Sequence, residues 1–232
     1  MEFAVSTPLS ELPAFLSTIS MVVDDRALII ERLIQAERKS PPRYEPAKEL
    51  FCRVLQGDLS VTQALAQARN VTDPVERKCA VDILEASKKF LFSAAPAHIG
   101  LFPSMNISIP NGMQLSVSPV RLRHLNSQRL MVLHFWQTPL STWQLSAAGA
   151  VLRAALARNQ PDYSNCELDF ISVSVPGATS QRRFERYSWA KLKPLNDADL
   201  SRFWKQFCTA WSEYQSKGPR QFRRKRQSDM FD

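Results

Sequence analysis

Residues 130–136, Leu-Met-Val-Leu-His-Phe-Trp, are apolar at nearly every position, and residues 167–175, Glu-Leu-Asp-Phe-Ile-Ser-Val-Ser-Val, alternate at their start before turning apolar. Between them lies Gln144–Arg158, rich in Ala and Leu. A short run without polar alternation is what a central strand covered on both faces requires. The middle segment reads as a helix that crosses between the two strands. This strand, helix, strand passage sets the fold class as α+β, and the flanking sequence is read around it.

Upstream, Met105–Ile109 alternates weakly, and Met113, Leu115 and Val117 alternate more clearly. Val120, Leu122 and His124 point one way and Arg121 and Arg123 the other, with a turn at Asn126-Ser127. Downstream, Pro176-Gly177 turns the chain, and Arg182–Trp189 returns as a partner strand carrying Phe184, Tyr187 and Trp189. A mostly antiparallel sheet with one crossing helix is expected.

The first 95 residues carry helix signals. Asp24-Asp25 opens a run with Leu28, Ile29, Leu33 and Ile34 that ends before Pro41-Pro42. Pro46 suits a first helical position, Leu50, Phe51, Val54 and Leu55 follow at helical spacing, and Gly57 stops that helix. Ser60-Val-Thr-Gln63 has capping-box form and opens a short helix to Asn70. Asp73-Pro-Val-Glu76 begins another, running through Val81, Leu84 and Phe90 to about Phe92. Short capped helices joined by short loops predict a compact bundle.

At the other end, Asn196 or Asp197 caps a long amphipathic helix. Leu200, Phe203, Trp204, Phe207, Trp211 and Tyr214 recur at three and four, and Gly218-Pro219 predicts its end. The aromatic stripe is read as the face that docks this helix on the sheet. The expected organisation is a helical region over 1–95, an α+β region over 96–216 that is separate from it or continuous with it, and a flexible basic tail over 217–232.

Length and composition exclude several classes. The chain has 232 residues, 44% hydrophobic and 22% charged, enough for a substantial core and unlike a disordered chain. No segment approaches the roughly 20 apolar residues of a membrane span, and the opening MEFAVSTPLSELP lacks the features of a secretory signal. Cys52, Cys79, Cys166 and Cys208 are isolated, so four buried thiols in a reducing cytoplasm are expected. Neither a GxxxxGK[ST] nor a GxGxxG pattern occurs.

The formal net charge is +8, and it is unevenly placed. Residues 1–181 carry 17 Lys/Arg against 16 Asp/Glu, and residues 182–232 carry 13 against 6. Lys217, Arg220, Arg223, Arg224, Lys225 and Arg226 occur within ten residues that hold no acid. Such a run attracts polyanions, of which duplex DNA is the expected one; its other reading is a solubilising tail. A quieter asymmetry lies between Ala86 and Pro161, where no Asp or Glu occurs but Lys88, Lys89, Arg121, Arg123, Arg129, Arg153 and Arg158 do. That stretch fits a surface facing phosphate, or an acidic protein.

No catalytic constellation emerges. The order of helix, three strands, helix and strand is compatible with the core of restriction-endonuclease-like nucleases. Those enzymes hold a magnesium ion with carboxylates on the second and third strands and a lysine beside them. Here the strands between 113 and 136 contain no acid. Glu167 and Asp169, two apart on one strand face, remain as candidate metal ligands. Their other reading is a solvent-facing edge pair, or ion-pair partners of Arg182, Arg183 and Arg186. His124 and His134 could face each other across the 120–136 hairpin, but without a convergent third ligand they do not spell a metal site. No catalytic residue, metal or cofactor is therefore assigned, and an enzyme is the less favoured reading.

The chain closes with Gln227-Ser228-Asp229-Met230-Phe231-Asp232. Adjacent Met and Phe behind a cationic segment suit a peptide that docks in a preformed apolar groove, with a glutamine as directional anchor. Gln227, Asp229, Met230 and Phe231 resemble, in order, the bacterial sliding-clamp-binding motif Gln-x-(Ser/Asp)-(Leu/Met)-Phe. That motif occurs in replicative polymerase catalytic subunits, translesion polymerases and mismatch-repair proteins. The resemblance implies that Gln227 enters the polar end of the clamp groove while Met230 and Phe231 fill its apolar pocket. It also implies a bacterial or phage setting. The expected function is that of a cytoplasmic, clamp-binding, DNA-associated protein, acting as a replication or repair accessory factor or as an inhibitor of replication. The alternative is a degenerate nuclease-like protein built around Glu167 and Asp169.

Overall fold

A computed structural model describes residues 15–38, 44–103, 105–117, 119–124, 127–136, 138–176, 181–193 and 195–228, without the side chains at 37–38, 101, 112, 123–124, 127 and 218–228. In chain order its elements are α1 (Phe15–Met21), α2 (Arg26–Arg38), α3 (Glu45–Gln56), α4 (Val61–Arg69), α5 (Pro74–Ser93), β1 (His98–Leu101), β2 (Met105–Ser108), β3 (Gln114–Val117), β4 (Val120–His124), β5 (Ser127–His134), α6 (Thr142–Asn159), β6 (Glu167–Ser174), β7 (Arg183–Ser188) and α7 (Asp197–Ser228). The chain is α+β and falls into two compact units. One comprises residues 42–105 and 117–194; the other comprises 1–41, 106–116 and 195–232. Both units join segments that are far apart in sequence.

The larger unit holds a five-stranded sheet in the order β1-β4-β5-β6-β7. Three neighbouring pairs are antiparallel, and β5·β6 is parallel, with Arg129 opposite Glu167 and His134 opposite Ser172. A parallel pair needs a crossover, and α6 supplies it. Met131, Phe135, Ile171 and Val173 join one buried cluster with Leu50, Phe51, Ile83 and Leu84 of the helices α3 and α5. Leu130, Val132, Leu168 and Phe170 alternate with them and are also buried. Among the described helices of this unit, α6 is the one left to cover that second face. Its ten buried positions fit this role: nine are apolar or small, and the tenth, Gln144, is part of the N-terminal cap.

Local chemistry explains the helix limits. The Ser60 hydroxyl accepts from the Gln63 N–H while the Gln63 side chain accepts from the Ser60 N–H, completing the predicted capping box. Ser141 and Gln144 repeat the device at the start of α6. Asp73 accepts from the backbone N–H groups of Val75 and Glu76 at 2.8 and 2.9 Å. Gly57 takes φ 83°, and the Asp58 N–H bonds back to the Arg53 carbonyl, closing α3.

The smaller unit contains α1, α2, the β2-β3 hairpin and α7. Helices α2 and α7 pack against each other. Ile29 and Leu33 of α2 and Phe203, Phe207 and Tyr214 of α7 are fully buried. The aromatic stripe of α7 is thus a packing face, as expected, but its partner within this unit is α2. The 105–109 and 113–117 segments form strands as read, and among the described residues they pair with each other in a two-stranded sheet.

Other expectations need correction. Helix α1 and strand β1 carry too little periodicity to be read, and neither is expected from the sequence. Helix α7 does not stop at Gly218-Pro219; its backbone continues to Ser228. Pro219 lacks an N–H for the Gln215 carbonyl, a defect of roughly 3 kcal/mol in a helix interior. Gln, Lys and Arg dominate the following residues, and these are strong helix formers whose cations suit a helix C-terminus. Of the four cysteines, Cys208 is buried and the other three are partly exposed, all with free thiols. Burial raises the Cys52 thiol pKa to about 11. No helix among the described residues is long and apolar enough to cross a membrane.

Candidate functional site

The carboxylates singled out from sequence lie at the start of β6, between β5 and β7. The parallel register sets Arg129 directly beside Glu167 and Met131 beside Asp169. Arg129 Nε donates to Glu167 Oε2 at 2.7 Å, and Arg129 Nη1 lies 3.3 Å from Asp169 Oδ2. From the other side, Arg186 Nε and Nη2 reach the same Asp169 oxygen at 3.0 and 2.8 Å. The Asp169 side chain is only 4% exposed, whereas that of Glu167 is 60% exposed. Asp169 is therefore a buried carboxylate neutralised by two guanidinium groups.

This arrangement supports the ion-pair reading of Asp169. A divalent cation bound there would have to compete with two positive charges already within hydrogen-bonding distance of the inner oxygen. The described residues contain no group of three His, Cys, Asp or Glu placed to hold a metal ion. Of the three arginines weighed as partners, only Arg186 reaches Asp169. Arg183 pairs with Glu185 at 3.6 Å. Arg182 donates to the carbonyls of Phe135 and Val173 at 2.8 and 2.7 Å and lies over the Tyr44 ring. Sequence reasoning does not find Arg129, because its approach depends on β5 and β6 being neighbours, which only the sheet order reveals.

The histidines do not converge. His124 pairs with Ser127 in the β4·β5 register, so the 120–136 hairpin leaves His134 at the far end of β5. His98 is exposed on β1. His134 is fully buried, with Nδ1 3.2 Å from the Ser172 hydroxyl. Burial, and then the nearby charge of Arg182, push its pKa down to about 4. It is an uncharged core residue at neutral pH, held by a serine side chain.

Arg121, one of the cations of the acid-free middle stretch, is also occupied. Its Nη1 donates to the Tyr163 hydroxyl at 2.7 Å, and its guanidinium lies over the Tyr163 ring. Gly100 admits it on β1, since a β-carbon there would overlap the guanidinium.

The residues assigned to DNA and clamp binding lie at and beyond the end of α7. Lys217 Nζ bonds Glu213 Oε1 at 2.6 Å, one helical turn away. Arg220, Arg223, Arg224, Lys225, Arg226 and Gln227 are helical in backbone, with side chains outside the described set. Asp229, Met230 and Phe231 lie outside the described residues. Along the helix, 220, 223, 224 and 227 share one face by their three- and four-residue spacing.

No protein family and no curated protein matches this chain. Among solved structures, it is similar to a chain from Eubacterium rectale named "Putative exonuclease", at 11% identity and a TM-score of 0.36, covering 95% of this chain and 85% of that one. A likeness of that degree leaves function to be argued from the residues themselves.

Proposed function

We propose that this protein is DNA-associated and docks on the bacterial replication sliding clamp. The observation that carries the proposal is the sequence Gln227-Ser-Asp229-Met230-Phe231 following six cations in ten residues. Met230 and Phe231 fill the apolar pocket of the clamp groove, and Gln227 supplies the hydrogen bond at its polar end. The cations at 217–226 follow the phosphate backbone of duplex DNA threading the clamp. Joining the two contacts in one segment raises the effective concentration of each once the other has formed.

The clamp is either a landing site, for an accessory factor, or the target, for an inhibitor that displaces the polymerase. Growth arrest on expression in bacteria, relieved by removing residues 227–232, identifies the inhibitor. The alternative of a metal-dependent nuclease built on Glu167 and Asp169 has against it the two guanidinium groups bound to Asp169.

Immobilised clamp titrated with wild-type protein and with the Met230→Ala/Phe231→Ala double variant tests the proposal. Burying the two side chains contributes roughly 1.5–3 kcal/mol each before ordering costs, so the double variant should lose most of the binding. Gln227→Ala should lose less, about 1 kcal/mol for one hydrogen bond. Undiminished binding by the double variant would show the motif to be a coincidence of sequence.

A further inference from the structure

The ends of β5, β6 and β7 that hold Asp169 also border a recess of about 530 Å³. Its wall includes Arg129, Arg153, Arg186 and Lys191, against the carboxylates of Glu167 and Asp169. Positive charge is therefore in excess there. The excess can be assigned to particular groups. Arg129 is neutralised by the two carboxylates. Arg186 engages Asp169 through Nε and Nη2 and keeps Nη1. Arg153 donates to the Ser164 and Cys166 carbonyls, which orient its guanidinium without cancelling its charge. Lys191 is exposed and makes no ion pair among the described residues.

We propose that this recess is a phosphate-binding site for the nucleic-acid backbone, with Arg153, Arg186 and Lys191 as the phosphate contacts. The chemistry favours an oxyanion of fixed shape. Guanidinium forks match phosphate oxygens, and those of Arg153 and Arg186 are already held in place, so little ordering cost remains on binding. Asp169 acts as a brace: as a nearly buried acceptor between Arg129 and Arg186, it fixes where the Arg186 charge points. Arg129 and Arg153 also belong to the stretch between 86 and 161 that lacks any acid, and the two carboxylates that do line the recess, Glu167 and Asp169, are already engaged by arginine. The inference rests on the DNA-associated reading but is independent of the clamp motif, because none of these residues lies beyond 191.

Fluorescence anisotropy of a labelled duplex, titrated with full-length protein over a range of salt concentrations, tests it. Three variants are compared with wild type: Lys191→Gln, Arg186→Gln, and Lys78→Gln as an exposed cation elsewhere. Lys191→Gln and Arg186→Gln should each weaken binding severalfold and lower the slope of log affinity on log salt by about one, whatever the DNA sequence. Lys78→Gln should change neither. Lys191 makes no ion pair among the described residues, so its variant stays informative even if Arg186→Gln unfolds the sheet edge. If both variants bind with the wild-type slope, the recess proposal is overturned while DNA association through residues 217–226 stands. If the wild type binds no duplex, the DNA-associated reading falls, and this inference with it. Calorimetry with inorganic phosphate separates the sources: a Lys191-dependent heat from phosphate in a protein that ignores duplex would assign the recess to a free anion and overturn its assignment to nucleic acid.

Discussion

The indole of Trp189 stands where a side chain on Gly149 would be: a β-carbon added to Gly149 would overlap the six-membered ring. Gly149 is in the middle of α6, and Trp189 directly follows β7, so the missing side chain lets the crossover helix approach the end of the last strand. Glycine in a helix interior costs roughly 1 kcal/mol relative to alanine, and the indole contact offsets it. Gly149→Ala should therefore destabilise the protein, by about 1–3 kcal/mol, although alanine is the better helix former. Urea unfolding followed by tryptophan fluorescence checks it, and a stabilised Gly149→Ala would contradict the contact.

Asp169 offers a second test. Asp169→Ala leaves the Arg129 and Arg186 guanidiniums without their common acceptor, although both are partly exposed and can rehydrate. A loss of about 1–3 kcal/mol is expected, with Asp169→Asn losing less because it retains an acceptor oxygen. Calorimetric titration of the wild type with magnesium or manganese should give no tight, Asp169-dependent site. A micromolar site abolished by Asp169→Asn would restore the nuclease-like reading.

The buried His134 gives a pH dependence of defined sign. Its pKa is lowered to about 4 in the folded protein, against 6.5 for the ordinary side chain. Above about pH 6.5 both folded and unfolded states leave it neutral, and it contributes no pH dependence. As pH falls from there towards 4, the unfolded chain binds a proton that the folded state refuses, so stability declines. At pH 5 the deficit should approach about 2 kcal/mol. Denaturation midpoints at pH 7.5 and 5, compared between wild type and His134→Gln, isolate this contribution. An equal decline in both proteins would place its origin elsewhere.

The basic end of α7 makes a prediction about salt. Replacing Arg223, Arg224, Lys225 and Arg226 by Gln should weaken duplex binding without regard to sequence and flatten its salt dependence, by up to about 0.9 in slope for each phosphate no longer neutralised. Thermal melting should be unchanged, since Tyr214, the last buried aromatic of α7 among the described residues, lies nine residues before Arg223. An unaltered slope would move the DNA-binding surface to the body of the protein.

Much of the fold is legible because its signals are local. The Ser60-Gln63 capping box, the Asp73 cap, the left-handed Gly57 and the apolar run of β5 each depend on a few neighbouring residues, and each is found where the sequence puts it. What could not be read depends on distant partners. Met113–Val117 alternates as a strand should, but nothing in it says that its mate is β2 and that the pair forms a two-stranded sheet of its own. The Asp169–Arg129 pair required knowing that β5 lies beside β6, whereas Arg186 is already among the partners read from sequence. Pro219 misleads for the opposite reason: a strong local stop signal is overridden within a helix of 32 residues.

The unbroken backbone of α7 carries a consequence for aim. Tyr214 is fixed in a core, and Gln227 lies 13 residues further along the same helix, about 20 Å away at 1.5 Å per residue. A flexible leash would let the segment search in all directions; a helix delivers it at one distance and one azimuth. Each residue contributes about 100° of rotation, so a single insertion between 219 and 226 would turn Gln227 to another side while lengthening the rod by only about 1.5 Å. An insertion of seven residues, close to two full turns, would restore its bearing and extend its reach by about 10 Å. Phase, more than length, would then govern which way the chain faces at Gln227.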